Sequence, residues 1–271
     1  MKDEKAPVPR SERRSPASGS RQGLLIVGHG TRDPEGRAEF LATARAIAAQ
    51  SPGAIVEPCF LELAEPTIAS AVGRLVERGA DENLTVVPLL LFAAGHAKID
   101  LPAAAAEAAA KYPKLQVRQA APLGCHPALV ELSKRRYLEA VKNLPGAADN
   151  ETLLLVVGRG SRDASANAEL ARFARLRFEA CAAGWLETCF AAMAEPSLER
   201  ALPLVARLPF GRVAVQPHLL FRGELLSRIR QTVEGFAAEQ RHMEWLIAPH
   251  LGPDRLVAEA ALAAIQAANA G

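Results

Sequence analysis

The chain has little that would serve a redox centre, a disulfide framework or a membrane. Cysteine is scarce: four in 271 residues, at positions 59, 125, 181 and 189, with no Cys-x-x-Cys pair. That spacing argues against a zinc knuckle, an iron–sulfur cluster and paired disulfides, and suits free thiols in a reducing cytoplasm. No apolar run approaches the ~18 residues of a membrane span. Charge of one sign is not in excess, since 32 Lys and Arg face 30 Asp and Glu for a net +2. The basic face of a nucleic-acid binder is therefore missing. A phosphate loop is absent too: Gly28-His29-Gly30 is not a G-x-G-x-x-G, so neither nucleotide nor flavin is expected. Residues 1–22 are rich in Pro, Ser and charge and contain no apolar stretch. They read as a disordered tail rather than a secretory signal.

What the chain does contain, it contains twice. Gly28-His29-Gly30-Thr31-Arg32-Asp33 recurs as Gly158-Arg159-Gly160-Ser161-Arg162-Asp163, 130 residues later. Cys59-Phe60 and Glu65-Pro66 recur at the same offset as Cys189-Phe190 and Glu195-Pro196, and Pro88 to Phe92 recurs as Pro217 to Phe221. Blocks in one order at one spacing mark a tandem duplication of a unit of about 125 residues. The expected organisation is a tail at 1–22, a first lobe at 23–147 and a degenerate second lobe at 151–267, with a linker near Asp149 and Asn150. The fused duplication makes a monomer acting as a pseudo-dimer the expected state.

Within each unit strands alternate with helices. Residues 24–28 form a continuous apolar run closed by glycine, which suits a strand buried on both faces. Further strands are expected at 55–61, 84–92 and 115–120. Helices are expected at 37–50, from Pro66 to about 78 with Gly79 as its stop, at about 99–111, and at 128–143. The fold class is therefore α/β: two tandem Rossmann-like lobes, each a small parallel sheet with helices on both faces.

Ligands of such sheets bind beyond the carboxyl ends of the strands. There the first half carries His29 after the first strand, Glu62 at the end of the second and His96 shortly after the third. Two imidazoles and a carboxylate suit a divalent first-row metal, and three protein ligands leave positions open for a metal that must be handed on. The second half is an internal control. Its matching residues are Arg159, Ala192 and, allowing one deletion, Glu224. All three candidates change together while the scaffold residues persist, as one working and one retired site would. His218, inside a strand pattern, reads as a buried, satisfied histidine, and Glu65 as a carboxylate at a helix N-terminus.

These stretches resemble the sirohydrochlorin chelatase family, in its long two-lobed form, closely over residues 24–142 and more loosely over the second half. The resemblance implies insertion of a divalent metal (Co²⁺ or Fe²⁺, with Ni²⁺ a further option) into sirohydrochlorin in cobalamin or sirohaem biosynthesis, with no membrane or nucleic-acid partner and a cytoplasmic location. It implies metal-binding roles for His29 and His96 and an active-site role for Glu62, with Glu65 the weaker alternative. Insertion removes two pyrrole protons, so Glu62 or one of the histidines must act as base. The substrate is rich in carboxylates, and Arg32, Lys98, Arg159, Arg162 and Arg222, all in strand-end loops, are candidate partners for them. The rival readings are a carrier of metal or tetrapyrrole, and a histidine-dependent phosphatase, which would need a cation where Gly28 stands.

Overall fold

The computed structural model describes residues 21–142 and 149–270, without the side chains of residues 96, 97 and 149. The expected tail up to residue 20, and the stretch 143–148 before the expected linker, lie outside the described residues. Gln22, read as tail, opens the first strand, and the Arg21 N–H donates to Gly79 O at 3.2 Å.

The first half runs β1 (Gln22–Gly28), α1 (Pro34–Ala49), β2 (Ala54–Phe60), α2 (Ile68–Glu77), β3 (Asn83–Pro88), a π-helical turn (His96–Asp100) leading into α3 (Leu101–Ala109), β4 (Gln116–Gln119) and α4 (Pro127–Val141). The second half repeats it as β5 (Thr152–Gly158), α5 (Ala164–Glu179), β6 (Trp185–Phe190), α6 (Leu198–Val205), β7 (Arg212–Pro217), α7 (Glu224–Glu239), β8 (Glu244–Ile247) and α8 (Arg255–Ala270). Each half makes one four-stranded sheet, ordered β2-β1-β3-β4 and β6-β5-β7-β8, and every pairing is parallel. The α/β expectation holds. The strand order reverses beside β1, and the crevice of such a sheet opens at that switch point.

Local sequence explains the element starts. Asp33 caps α1 by accepting from the N–H groups of Glu35 and Gly36, Asp163 caps α5 by accepting from Ser165, and Thr67 and Ser197 do the same for α2 and α6. Each such cap contributes about 1 kcal/mol. Pro66 is not the first residue of a helix as expected. It follows a cis peptide bond in both halves, and the helix begins two residues later. Glu65 and Glu195 sit in that turn and accept from the N–H groups of Thr67 and Ser197 at 3.0 and 2.7 Å. The third strand stops at Pro88 rather than continuing to 92. The apolar residues after it leave the sheet, and Leu90 and Phe92 line a cavity instead.

The outer face of each sheet is covered by helices of its own half. Ile68, Val72 and Leu75 of α2 and Leu101 and Ala105 of α3 pack with Leu25, Ile55 and Val86. Leu198, Leu202, Ile229 and Val233 do the same for the second sheet. The inner faces are covered by exchange. Leu256, Val257, Ala260, Ala261 and Ile265 of α8 pack on Leu24, Ile26, Phe40 and Val87 of the first half. Tyr137 of α4 packs on Leu154, Val156, Leu170 and Ala214 of the second. Gln216, buried in β7, donates to Ser133 O of α4 at 2.7 Å. The sequence repeat and the packed lobe are thus different sets of residues.

Candidate metal-handling site

Two backbone contacts bring His29 and Glu62 together. Leu61 N–H donates to Gly28 O at 2.9 Å and Glu62 N–H to His29 O at 3.0 Å, so the loops after β1 and β2 run side by side. The fit leaves no room for a side chain between them. A Cβ on Gly30, which adopts φ +108°, would lie 1.7 Å from Glu62 O, and one on Gly28 would lie 2.8 Å from the Phe40 ring. Only glycine satisfies both the positive φ and the close approach. The result is Glu62 Oε1 at 3.2 Å from His29 Nδ1, with both side chains partly exposed.

A cavity opens beside them, lined by Val27, Gly28, His29, Leu61, Leu90, Phe92, Ala94, Leu101 and Arg159. His96 begins the π-helical turn that lies between the lining residues Ala94 and Leu101. Its side chain lies outside the described residues, and among those described no three metal-ligating side chains converge. The structure brings together the first two of the three expected residues. Arg159, the counterpart of His29, enters the same cavity from the second half. At the counterpart of His96, Glu224 is simply the first residue of α7.

The five candidate cations separate into two groups. Lys98 pairs with Asp163 across the halves, and this contact, with the Ser165 N–H, holds the Asp163 carboxyl below its usual range. Arg222 pairs with Glu35, lies 3.8 Å from Asp33, and gives its backbone N–H to Glu39 at 2.7 Å. Both therefore bridge the halves at helix starts. Arg32, Arg159 and Arg162 are exposed and have no ion-pair partner among the described residues. Within the duplicated loop the other repeated residues have structural work: the glycines allow close approach, Thr31 and Ser161 accept from the N–H groups of Asp33 and Asp163, and both aspartates cap helices. Arg32 and Arg162 are repeated without such a contact.

His218 departs from expectation. It is buried, 2% exposed, and stacks against Phe173 at 3.9 Å and Phe92 at 5.4 Å between ring centroids. Among the described residues neither ring nitrogen has a hydrogen-bond partner. Burial pushes its pKa down from 6.5 to about 3. Sequence reasoning missed this because β7 alone does not reveal that Phe173 of α5 and Phe92 after β3 close over it.

Two further features carried no sequence signal. Leu63 and Met193, at equivalent positions after Glu62 and Ala192, have φ of +62° and +56°, in the left-handed region that costs a non-glycine residue about 1–3 kcal/mol. Both side chains are more than half exposed, at 55% and 56%.

The model of the CbiX family matches residues 23–140 and again 153–268. The chain is similar to the sirohydrochlorin cobaltochelatase of Priestia megaterium, with 34% identity over 84% of this chain and 74% of the relative. It is similar to the sirohydrochlorin ferrochelatase of the same organism at 32% identity, covering 84% of both chains. Among solved structures, SirB from Bacillus subtilis with Fe³⁺ superposes with a TM-score of 0.81 at 27% identity, over 91% of this chain and 94% of that one.

Proposed function

The chain belongs to the CbiX family, and from that premise we propose that it is a chelatase inserting Co²⁺ or Fe²⁺ into sirohydrochlorin, as its curated relatives are named to do. The observation that carries the reading at the level of residues is the pairing of His29 with Glu62 at the switch point of the first sheet. A carboxylate beside Nδ1 favours the tautomer with the proton on that nitrogen. Nε2 is then the ring atom whose lone pair can bind a metal. His96, carried on the adjacent π-helical turn, is the second metal ligand in this proposal.

Transfer to the ring needs the two pyrrole N–H protons removed as the metal enters. Glu62 is the base: its carboxylate is partly exposed and next to the His29 imidazole. Arg159 on the facing wall, and Arg32 and Arg162 at the two helix starts, neutralise carboxylates at the edge of the macrocycle. Lys98 and Arg222 hold the two halves at a fixed opening through Asp163, Asp33 and Glu35, rather than binding substrate. Lobes at 23–147 and 151–267 with one working site, in a monomer, complete the reading. No helix among the described residues is long and apolar enough to cross a membrane.

The test is anaerobic absorbance of sirohydrochlorin with catalytic protein and Co²⁺, Fe²⁺ or Ni²⁺ in turn. Multiple-turnover loss of the metal-free spectrum, abolished in His29→Ala and His96→Ala, is the expected result and ranks the metals. Ring binding without acceleration over the protein-free rate would overturn the reading in favour of a carrier.

A further inference from the structure

Leu63 and Met193 are poor choices for the places they occupy. At φ near +60° a tight turn favours glycine or asparagine, and at more than half exposure an apolar side chain gains little from the protein. Yet both halves of the chain place a long apolar residue there, although the residue before it differs, Glu62 against Ala192. Neither backbone nor core asks for them.

Their surroundings say what does. Leu63 follows Glu62 and lies against the loop that carries His29: a Cβ on Gly30 would be 3.5 Å from Leu63 Cβ. Met193 stands in the matching loop beside Gly160, whose Cβ would meet Ala192 O at 1.8 Å and Ala194 N at 3.2 Å. Arg159, immediately before Gly160, lines the same cavity as His29. Each therefore stands beside the loop through which its own half reaches that cavity, outside the lining residues themselves. A left-handed residue turns its side chain away from the path a right-handed or extended one would take, out of the loop and into solvent.

We propose that Leu63 and Met193 are a pair of apolar lips that close on the ring of the tetrapyrrole, contacting its carbon skeleton while Arg32, Arg159 and Arg162 meet its carboxylates. This rests on the chelatase reading above. A macrocycle has a broad apolar face and a charged edge, and charges alone would leave it free to slide within the cleft. Apolar contact on both sides holds the ring where the metal must enter. Leucine and methionine bend at several bonds and adapt to a ring whose plane shifts as it takes up the ion.

The test is fluorescence titration of the intact chain with metal-free sirohydrochlorin, using Leu63→Gly, Met193→Gly, the double variant and Leu63→Met. Glycine suits a positive φ, so the thermal midpoint should not fall. Each glycine variant should raise Kd about tenfold and the double variant about a hundredfold, from loss of half-buried apolar contact. Leu63→Met should bind within about threefold of the parent, since it keeps the apolar reach. Co²⁺ affinity without the ring should be unchanged in all four. Unaltered sirohydrochlorin affinity in the folded double variant would overturn the proposal while leaving the chelatase reading intact. A parent chain that does not bind the ring would remove both.

Discussion

Asn269, one residue from the end of α8, accepts a hydrogen bond on Oδ1 from Thr85 Oγ1 of β3 at 3.0 Å, across 184 residues of sequence. The last helix of the second repeat thereby closes over the first sheet, as α4 closes over the second.

This exchange predicts the behaviour of half the chain. Residues 21–142 alone keep α4 but lack α8, so the face formed by Leu24, Ile26, Phe40 and Val87 is uncovered. Burial is worth about 25 cal/mol per Å² of apolar surface, so two copies should associate with each α4 on its partner's sheet. Light scattering should report a dimer. A folded, stable monomer would contradict the exchange.

Gly30 and Gly160 should differ in what their loss does. In both, a Cβ would meet a carbonyl oxygen at under 2 Å with φ near +90 to +110°. Gly30→Ala and Gly160→Ala should each cost at least about 1–3 kcal/mol of stability. Only Gly30→Ala displaces Glu62 from His29, so its residual activity per folded molecule should be lower by about tenfold or more than that of Gly160→Ala. Equal specific activities, measured beside denaturant midpoints, would place no function in the His29–Glu62 geometry.

Glu62→Gln keeps the shape beside His29 but removes the negative charge and the proton acceptor. Loss of an outer partner of a metal-binding histidine costs about 10–100-fold in affinity or activity, and loss of the base adds about 10²–10⁴. The expected outcome is a kcat reduced by more than about a hundredfold with KM for sirohydrochlorin nearly unchanged. A parental kcat would show that another group takes the pyrrole protons.

His218 predicts an acid effect with a defined sign. Its folded pKa is pushed down to about 3 from 6.5 by burial, so between those values the unfolded chain binds a proton that the folded chain refuses. Stability from this residue is present above about pH 6.5 and falls as pH drops towards 3, by about 1.4 kcal/mol per pH unit. The repeat supplies the replacement, since Leu89 occupies the equivalent position and is buried. His218→Leu should be more stable by about 1–3 kcal/mol at pH 7, having no unpaired nitrogen to bury, and should lose less stability towards pH 4. Parallel stability–pH curves for the two proteins would refute this account.

Sequence by itself determined the duplication, the parallel α/β lobes and the loops that carry His29 and Glu62. Apolar runs closed by glycine, helix caps at Asp33 and Asp163 and a repeat at constant spacing are local signals, and local physics is what adjacent residues encode. The comparison of His29 with Arg159 and Glu62 with Ala192 distinguished scaffold residues from candidate site residues within the chain itself. Only the tertiary structure decided which helix covers which sheet, because α4 and α8 are apolar on one face whichever sheet they meet. Only it showed that Leu90 and Phe92, in a stretch apolar enough for a strand, line a cavity, and that Lys98 and Arg222 are held by carboxylates of the opposite half. It alone showed that His218 is buried without a hydrogen-bond partner among the described residues and that Leu63 and Met193 are exposed in left-handed turns. Each of these depends on what lies across the fold, and a side chain's neighbours at a distance of a hundred residues are set by packing rather than by the sequence beside it.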